Sequence, residues 1–481
     1  MCFVPNTCYS CIIRNRCYQF VSKKQTNTKG FAVSRYFFQG EIIMSERKPL
    51  KLGKTPNTFI FTVLGLGIVV NYAKLRYGIH VKRNKEVVRM KGPLVCVGNH
   101  PSYLDPFVMA SALYGRKINF VAGAFLFRDR IIGPLFALGG CIPKIQFRSD
   151  SRAVKAMLTV LKNGGTLGIF PEGTRFVDGT SIDFDDALAR MIKKTGSGVA
   201  FLESNGAYST WPRWSTNSFR RGRIEGQVKK VFAPEEVEAM SLEELHGMMQ
   251  EQMKYNEYNW LRSNPRVFHS KAITAGAQNI AYACPRCEKD NVMESDKDIL
   301  RCKACGNQVR MDSSGFLHPV GDTDKAFEDL HLWKQWERSR IMERVQQPDF
   351  LMEEKTKLLL PWGEFEYREV GQGVIRIEKG QVVYHGTQCA LEDGISYSKK
   401  ELKAARQNEK KAKDRSAIEN APVITKTFVA SKIRGVGADY GKRFELFEAG
   451  GQVNRFIPDN GQCILGLQMA IQCMQELSIT P

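Results

Sequence analysis

The alternation of short apolar runs with helix-period segments between residues 93 and 203 constrains this chain more than any other feature. Strands joined by crossover helices produce such alternation, because a parallel strand must return over the sheet before the next begins. An α/β domain is therefore expected, with strands at 94–97, 118–122, 141–145, 166–170 and 198–202. Between the third and fourth, Val154, Met157, Leu158 and Leu161 recur at i, i+3, i+4 and i+7, which predicts a helix with that face inward and Ser149 or Asp150 as its N-cap. Ser241, with Glu244 three residues later, forms a capping-box pattern for a last helix carrying Leu242, Leu245, Met248, Met249 and Met253 inward. The domain closes near residue 265.

A chain of 481 residues needs more than one such domain, and 43% hydrophobic with 25% charged residues excludes wholesale disorder. Of its net charge of +20, most sits early: residues 1–98 hold 17 Lys and Arg against Glu41, Glu46 and Glu86. An anionic partner is implied, and charge alone fits either nucleic acid or an anionic membrane leaflet. The apolar run 58–70, continued by Tyr72 and Ala73, favours the membrane. It is broken by Gly65, Gly67 and Asn71 and falls short of the roughly 20 residues a bilayer crossing needs. It reads either as a helix lying in or dipping into the interface, with Lys51, Lys54, Lys74 and Arg76 toward lipid phosphates, or as a buried core helix. Before it, residues 1–54 form a basic N-terminal region. Met44, followed by Ser-Glu-Arg-Lys and the apolar run, is a candidate start, and the earlier apolar patches lack the features of a cleavable signal peptide.

The segment Asn99-His100-Pro101-Ser102-Tyr103-Leu104-Asp105-Pro106 falls where the first strand ends and a helix begins. Ligands bind at the carboxyl ends of parallel strands, so a His delivered there is placed for chemistry. Asp105, five residues on, is close enough to accept a hydrogen bond from one imidazole nitrogen and raise the basicity of the other. Phe170-Pro171-Glu172-Gly173-Thr174-Arg175 follows another strand and should open onto the same edge. There Arg175 can hold a phosphate by two parallel hydrogen bonds, and Gly173 lets backbone approach a ligand. Taken singly, the first motif could be a capping feature and the second a turn with an exposed arginine.

Together the segments resemble the glycerolipid acyltransferases, most of all the 1-acylglycerol-3-phosphate (lysophosphatidate) acyltransferases. The resemblance covers roughly residues 55–260 and rests on four motifs in order: His100 with Asp105; Gly140-Cys141-Ile142-Pro143 with Lys144; Phe170 to Arg175; and Val199-Ala200-Phe201-Leu202. Two departures stand out. Lys144 follows the proline directly and Arg148 comes five after it, where the family has an arginine about three residues on; the family's proline is missing from 199–202. The resemblance implies that His100 is the general base and Asp105 its orienting partner. It also implies that Glu172, Gly173, Thr174 and Arg175, with Lys144 or Arg148, form the acceptor site. The co-substrate would be an acyl thioester of coenzyme A or acyl carrier protein, and the partners membrane lipids. Residues 125–127 and 131–138 could line the acyl-chain groove or form a plain core helix.

Cys284-Pro-Arg-Cys287, 14 residues, then Cys302-Lys-Ala-Cys305 make two matched pairs within a unit expected over 280–318. Four thiolates at this spacing suit a tetrahedral structural zinc site and resemble zinc-ribbon and rubredoxin-like modules, with iron or a redox disulfide pair as alternatives. Cys96, Cys141, Cys389, Cys463 and Cys473 lie in apolar surroundings, as small core residues in a reducing compartment do. The chain is accordingly expected to be membrane-associated with its catalytic domain on the cytoplasmic side. From 325 to 481 a charged, Trp-containing helix over 325–345 precedes strands at 355–360, 363–368, 374–378, 381–385, 423–430 and 443–448 and a terminal helix over 464–477. This α+β succession suggests a PH-like domain. The lysine-rich segment 398–415 reads as a solvated helix or linker.

Three functions compete: acylation of 1-acylglycerol 3-phosphate to phosphatidate, the same chemistry on another lysophospholipid or lipid acceptor, and nucleic-acid binding through basic charge and zinc ribbon. The last is disfavoured because the basic residues concentrate beside an apolar run and the ribbon lacks interleaved aromatic and basic residues.

Overall fold

The structure is a computed structural model that describes residues 52–128, 131–145, 150–216, 219–362, 366–389, 421–448 and 452–478. Met44, Arg148 and the lysine-rich segment 398–415 lie outside the described residues. A helix α1 (Phe59–Tyr77) leads into a seven-stranded sheet built from β1 (Ile79–Val81), β2 (Leu94–Gly98), β3 (Asn119–Gly123), β4 (Ile142–Lys144), β5 (Thr166–Ile169), β6 (Gly198–Asn205) and β7 (Ile224–Phe232), in the order β1-β7-β6-β2-β5-β3-β4. From β6 to β4 every neighbouring pair is parallel, whereas β7 runs antiparallel to β6. All five residues of β2 are buried, as expected for a central strand covered on both faces.

The crossover helices are α2 (Asp105–Ala112), α3 (Ile132–Leu138), α4 (Ser151–Lys162) and α5 (Ala187–Thr195). In α4 the inward face is Ala153, Ala156, Met157, Val160 and Leu161, while Val154 is 40% exposed. The helix is thus turned from the face expected on apolarity alone, because small alanines allow close approach to the sheet where Val154 would hold it off. Asp150 is the cap, its Oδ1 accepting from Ala153 N at 3.0 Å. The capping box at Ser241 and Glu244 forms as expected and opens α6 (Leu242–Met253); α7 (Glu257–Ser263) follows.

Helix α1 divides its apolar residues between two faces. Phe61, Leu66, Val70 and Ala73 pack onto the domain, and Phe59, Val63, Ile68, Val69, Tyr72 and Leu75 are exposed. By length and composition, its 19 residues could cross a bilayer. The segment weighed as an acyl-chain groove or a core helix is also largely outside the core, with Phe125, Leu126, Ile131, Ile132, Leu135 and Leu138 exposed and Phe127 buried. It adjoins the start of α1, where Asn57 N donates to Leu138 O at 3.0 Å.

Strands β8 (Met293–Asp296), β9 (Ile299–Cys302), β10 (Gln308–Met311) and β11 (Leu317–Pro319) form an antiparallel sheet around the cysteine pairs. Helix α8 (Leu330–Arg344) leads to a second seven-stranded sheet, antiparallel throughout: β12 (Leu351–Trp362), β13 (Glu366–Glu378), β14 (Gln381–Thr387), β15 (Val423–Val429), β16 (Ile433–Asp439), β17 (Arg443–Glu448) and β18 (Val453–Pro458), ordered β15-β14-β13-β12-β18-β17-β16 and closed by α9 (Cys463–Glu476). Two of these strands are longer than the sequence suggests. In β13, a Cβ on Gly371 would lie 1.8 Å from Thr387 O and one on Gly373 2.3 Å from His385 O. Those glycines are there because two backbones touch, and they interrupt the strand signal. One continuous core joins Phe176, Tyr208, Trp214 and Tyr258 of the first sheet's flank to Tyr282, Cys284, Met293 and Leu300 of the ribbon, Trp333 of α8, and the inner face of the second sheet.

Candidate active site and cysteine cluster

Strands β2 and β5 are parallel neighbours, with Val97 opposite Ile169, so the chain leaves both at the same edge of the sheet. The 99–106 and 170–175 segments therefore meet. Asn99 clamps its loop to β6: its Nδ2 donates to Ser204 O at 3.0 Å and its Oδ1 accepts from Ser204 N at 2.8 Å. Prolines at 101 and 106 stiffen the turn on either side of the α2 start. Asp105, fully buried at the first position of α2, accepts from His100 Nδ1 at 2.7 Å and from Ser102 N at 2.9 Å. With Asp105 ionised, Nδ1 is the protonated nitrogen of this pair and Nε2 is left basic. The His100 ring stacks on Phe170, with centroids 4.5 Å apart and planes at 17°. Phe176 N donates to His100 O at 3.0 Å, tying the two motifs through backbone as well.

Burial, helped by the charges of Arg175 and Arg213, holds the His100 imidazole well below its usual range. Burial also raises the Asp105 carboxyl, against the opposing pull of Ser102 N–H and Arg175. The pair thus resists becoming an ion pair at rest, and a proton arriving at Nε2 would create one beside a carboxylate already oriented for it. The Glu172 carboxyl is buried behind this pair, with neither oxygen in a formed hydrogen bond. Burial and the charge of Asp105 push it up, while the N–H dipoles of His100 and Ile182 pull it down.

Gly173 adopts φ +68°, and a Cβ there would meet nothing within 4 Å. Its role is the left-handed turn, not a close approach. Arg175 lies over Tyr103, its Cζ 3.7 Å from the ring centroid, and its Nε is buried without a hydrogen-bond partner. Burial pushes the guanidinium down to about 10, which leaves it charged at neutral pH. Thr174 Oγ1 accepts from Arg213. Lys144 ends β4, three places from β2 in the sheet; at about 4.8 Å per strand this is roughly 14 Å away.

Arg213 was not singled out from sequence. It sits in the loop between β6 and β7 with Trp211, whose carbonyl accepts from Ser102 Oγ at 3.1 Å and whose ring lies 5.0 Å from that of Tyr103. Buried Glu257 holds the start of this loop, accepting from Ser209 Oγ at 2.6 Å, Ser209 N at 3.1 Å, Gly206 N at 3.3 Å and Tyr255 Oη at 2.6 Å. Neither Arg213 nor Glu257 could be placed at the site from spacing, because Arg213 arrives in the loop between antiparallel β6 and β7 and Glu257 from α7, beyond that sheet.

The Sγ atoms of Cys284, Cys287, Cys302 and Cys305 lie within 4.8 Å of one another, with Cys284 to Cys305 at 3.6 Å and Cys287 to Cys302 at 3.7 Å. Four thiolates about 2.3 Å from a tetrahedral zinc would be about 3.8 Å apart, so the cluster fits that ion. Backbone N–H groups of Arg286 and Cys305 point at Cys284 and Cys302 Sγ, each at 3.4 Å.

The profile of the family described as Acyltransferase matches residues 79–202, and a zinc-ribbon profile described as "DNA directed RNA polymerase, 7 kDa subunit" matches 277–311. The chain is 28% identical over 156 residues to a chloroplastic 1-acyl-sn-glycerol-3-phosphate acyltransferase of Arabidopsis thaliana, covering 32% of this chain and 43% of that one. It is 28% identical over 140 residues to the chloroplastic enzyme of Brassica napus, covering 29% and 40%. It is 31% identical over 121 residues to a probable 1-acyl-sn-glycerol-3-phosphate acyltransferase of Mycoplasma genitalium, covering 24% and 44%. The chain thus spans about two fifths of the length of these relatives. The crystal structure of the 1-acyl-sn-glycerophosphate acyltransferase PlsC from Thermotoga maritima aligns at 23% identity and TM-score 0.35, covering 42% of this chain and 80% of that one. Residues 79–202 thus match the Acyltransferase family and resemble the glycerolipid members of it, and the segment 277–311 that follows matches a zinc-ribbon family.

Proposed function

We propose that the chain transfers a fatty acyl group from an acyl thioester, carried by coenzyme A or acyl carrier protein, to the hydroxyl of a 1-acylglycerol 3-phosphate, forming phosphatidate. The observation that carries this reading is the 2.7 Å His100–Asp105 pair beside the buried Arg175 guanidinium at one sheet edge. His100 Nε2 takes the hydroxyl proton as the alcohol oxygen attacks the thioester carbonyl. The C–O bond forms, the C–S bond breaks, and the thiol leaves with that proton. Asp105 fixes the tautomer and offsets the imidazolium charge, while Arg175 holds the phosphate that orients the hydroxyl. No enzyme nucleophile is needed, since the thioester is already activated. Glu172, Gly173 and Thr174 shape the turn that delivers Arg175, and Lys144 and Arg148 are the remaining basic candidates for the acceptor.

The exposed apolar faces of α1 and of residues 125–138 support association with a lipid surface, where both long-chain substrates reside. We read α1 as lying in the interface, with the domain on the cytoplasmic side. Zinc held by Cys284, Cys287, Cys302 and Cys305 would be structural, because four thiolates leave no open position for water. Residues 55–265 are read as the acyltransferase domain, 280–318 as the ribbon and 325–481 as a C-terminal domain. Its seven antiparallel strands closed by one helix support a PH-like reading of that last part. Acyl transfer to a panel of acceptors tests the proposal. Lysophosphatidate should be the preferred acceptor over other lysophospholipids and neutral monoacylglycerol, and a protein active only on acceptors without phosphate would overturn it.

A further inference from the structure

We propose that Arg213, which lies outside all four motifs, is a second guanidinium ligand for the acceptor's phosphate, and that the β16–β17 turn of the C-terminal sheet holds it there. The inference rests on the acyl-transfer reading for the identity of the anion, but not for the existence of an anion site.

The first support is placement. Arg213 donates to Thr174 Oγ1, the neighbour of Arg175, and to Ala438 O on β16; its Cζ lies 5.3 Å from the ring centroid of Tyr440 in the turn that follows. Two of the five guanidinium N–H groups are thus used to fix its plane, and three remain for a ligand. Tyr440 is itself pinned, its Oη donating to Gln468 Oε1 of α9 at 3.0 Å. The site is therefore completed by residues more than 200 positions from Arg213 in the chain.

The second support is charge. Arg175, Arg213 and His100 are near enough for each guanidinium to disfavour protonation of the imidazole. Among the described residues neither guanidinium forms an ion pair with a carboxylate; Asp105 and Asp439 act on Arg175 only at a distance. Arg175 Nε is buried and unpartnered. Two converging cations with an unsatisfied buried donor are costly unless an anion offsets them. A phosphate monoester, with close to two negative charges and three equivalent oxygens, is shaped to take both forks at once. Arg175 is fixed by Tyr103 of the acyltransferase domain and Arg213 by the C-terminal sheet, so acceptor affinity is coupled to the position of that sheet.

The experiment uses the full chain and two measurements. Calorimetric titration with glycerol 3-phosphate reads the anion site without turnover, and the ratio of kcat/KM for lysophosphatidate to that for neutral monoacylglycerol reads its use in transfer. Arg213→Ala should weaken glycerol 3-phosphate binding about ten- to hundredfold and lower the ratio by a similar factor. Arg213→Lys should show an intermediate loss, since lysine offers a point charge, and it decides the matter if Arg213→Ala does not fold. Tyr440→Leu, made far along the chain, should shift both in the same direction by about three- to tenfold. Parent-like glycerol 3-phosphate binding in Arg213→Lys and Arg213→Ala overturns the inference, as does equal loss with both acceptors. If the parent binds glycerol 3-phosphate through Arg213 but acylates nothing, the anion site stands and the acyl-transfer reading falls. If lysophosphatidate is acylated with undiminished preference in the Arg213 variants, the reverse holds.

Discussion

Asp178 and His331, 153 positions apart, meet at 2.9 Å, and Lys334 joins the same carboxylate oxygen at 3.1 Å. Asp178 stands three residues after Arg175, and both partners lie on α8, so this ion pair fastens the loop behind the 170–175 segment to the helix that carries the C-terminal sheet. Burial alone would raise the Asp178 carboxyl, but the Lys334 charge and the hydrogen bonds from His331 and Thr180 outweigh it and hold it below the usual carboxylate range. A depressed carboxylate contributes stability that is complete above its unfolded value, about 3.9, and is lost as pH falls through the folded value. Asp178→Ala should cost about 2–3 kcal/mol, less than the 3–5 typical of a broken fully buried pair because Lys334 and His331 reach water. Urea unfolding of parent and Asp178→Asn below about pH 4 checks the sign: the parent should lose stability more steeply.

His100→Ala should lower acyl transfer by roughly a hundred- to ten-thousandfold, the usual contribution of a positioned base. Asp105→Asn should lose less, since it keeps the shape and removes the charge. Transfer at the parent rate by folded His100→Ala would remove this residue from the chemistry.

With the neutral imidazole as the proposed base, a lowered His100 value should keep acyl transfer active into more acidic solution. The acid limb of kcat/KM should fall below the ordinary 6.5. Arg175→Gln removes one of the cations that lower it, so the limb should move toward higher pH. Measured profiles that coincide would show that Arg175 does not set the value.

Arg175→Lys should weaken the use of phosphate-bearing acceptors, and Arg175→Ala should do so by about 1.5–3 kcal/mol, roughly ten- to hundredfold. Hydrolysis of the thioester without acceptor should fall much less. Equal losses in the two assays would assign Arg175 to the donor side or to folding.

Metal analysis should find one zinc per chain, absent in Cys302→Ser. Because Cys284 and Cys302 are buried in the same core as Phe176 and Tyr208, losing the metal should lower the melting temperature of the acyltransferase domain too, by about 5 °C or more. A calorimetric trace in which only a small separate transition shifts would count against the shared core.

The sequence by itself determined the local chemistry. Alternating runs marked the parallel strands, the capping box at Ser241 and Glu244 marked α6, and the CxxC pairs marked the cysteine cluster, because each signal is written in residues close together in the chain. His100 and Arg175 were legible as neighbours because two parallel strands must deliver their following loops to one edge. Tertiary structure decided what depends on distant segments. It turned α4 onto its alanine face, since close approach to the sheet matters more there than apolarity. It lengthened β13 through glycines whose purpose is contact with β14. It brought Arg213, Trp211 and Tyr440 beside Tyr103 and Thr174 through an antiparallel loop and a remote sheet, a convergence that no spacing encodes because it depends on how buried faces pack.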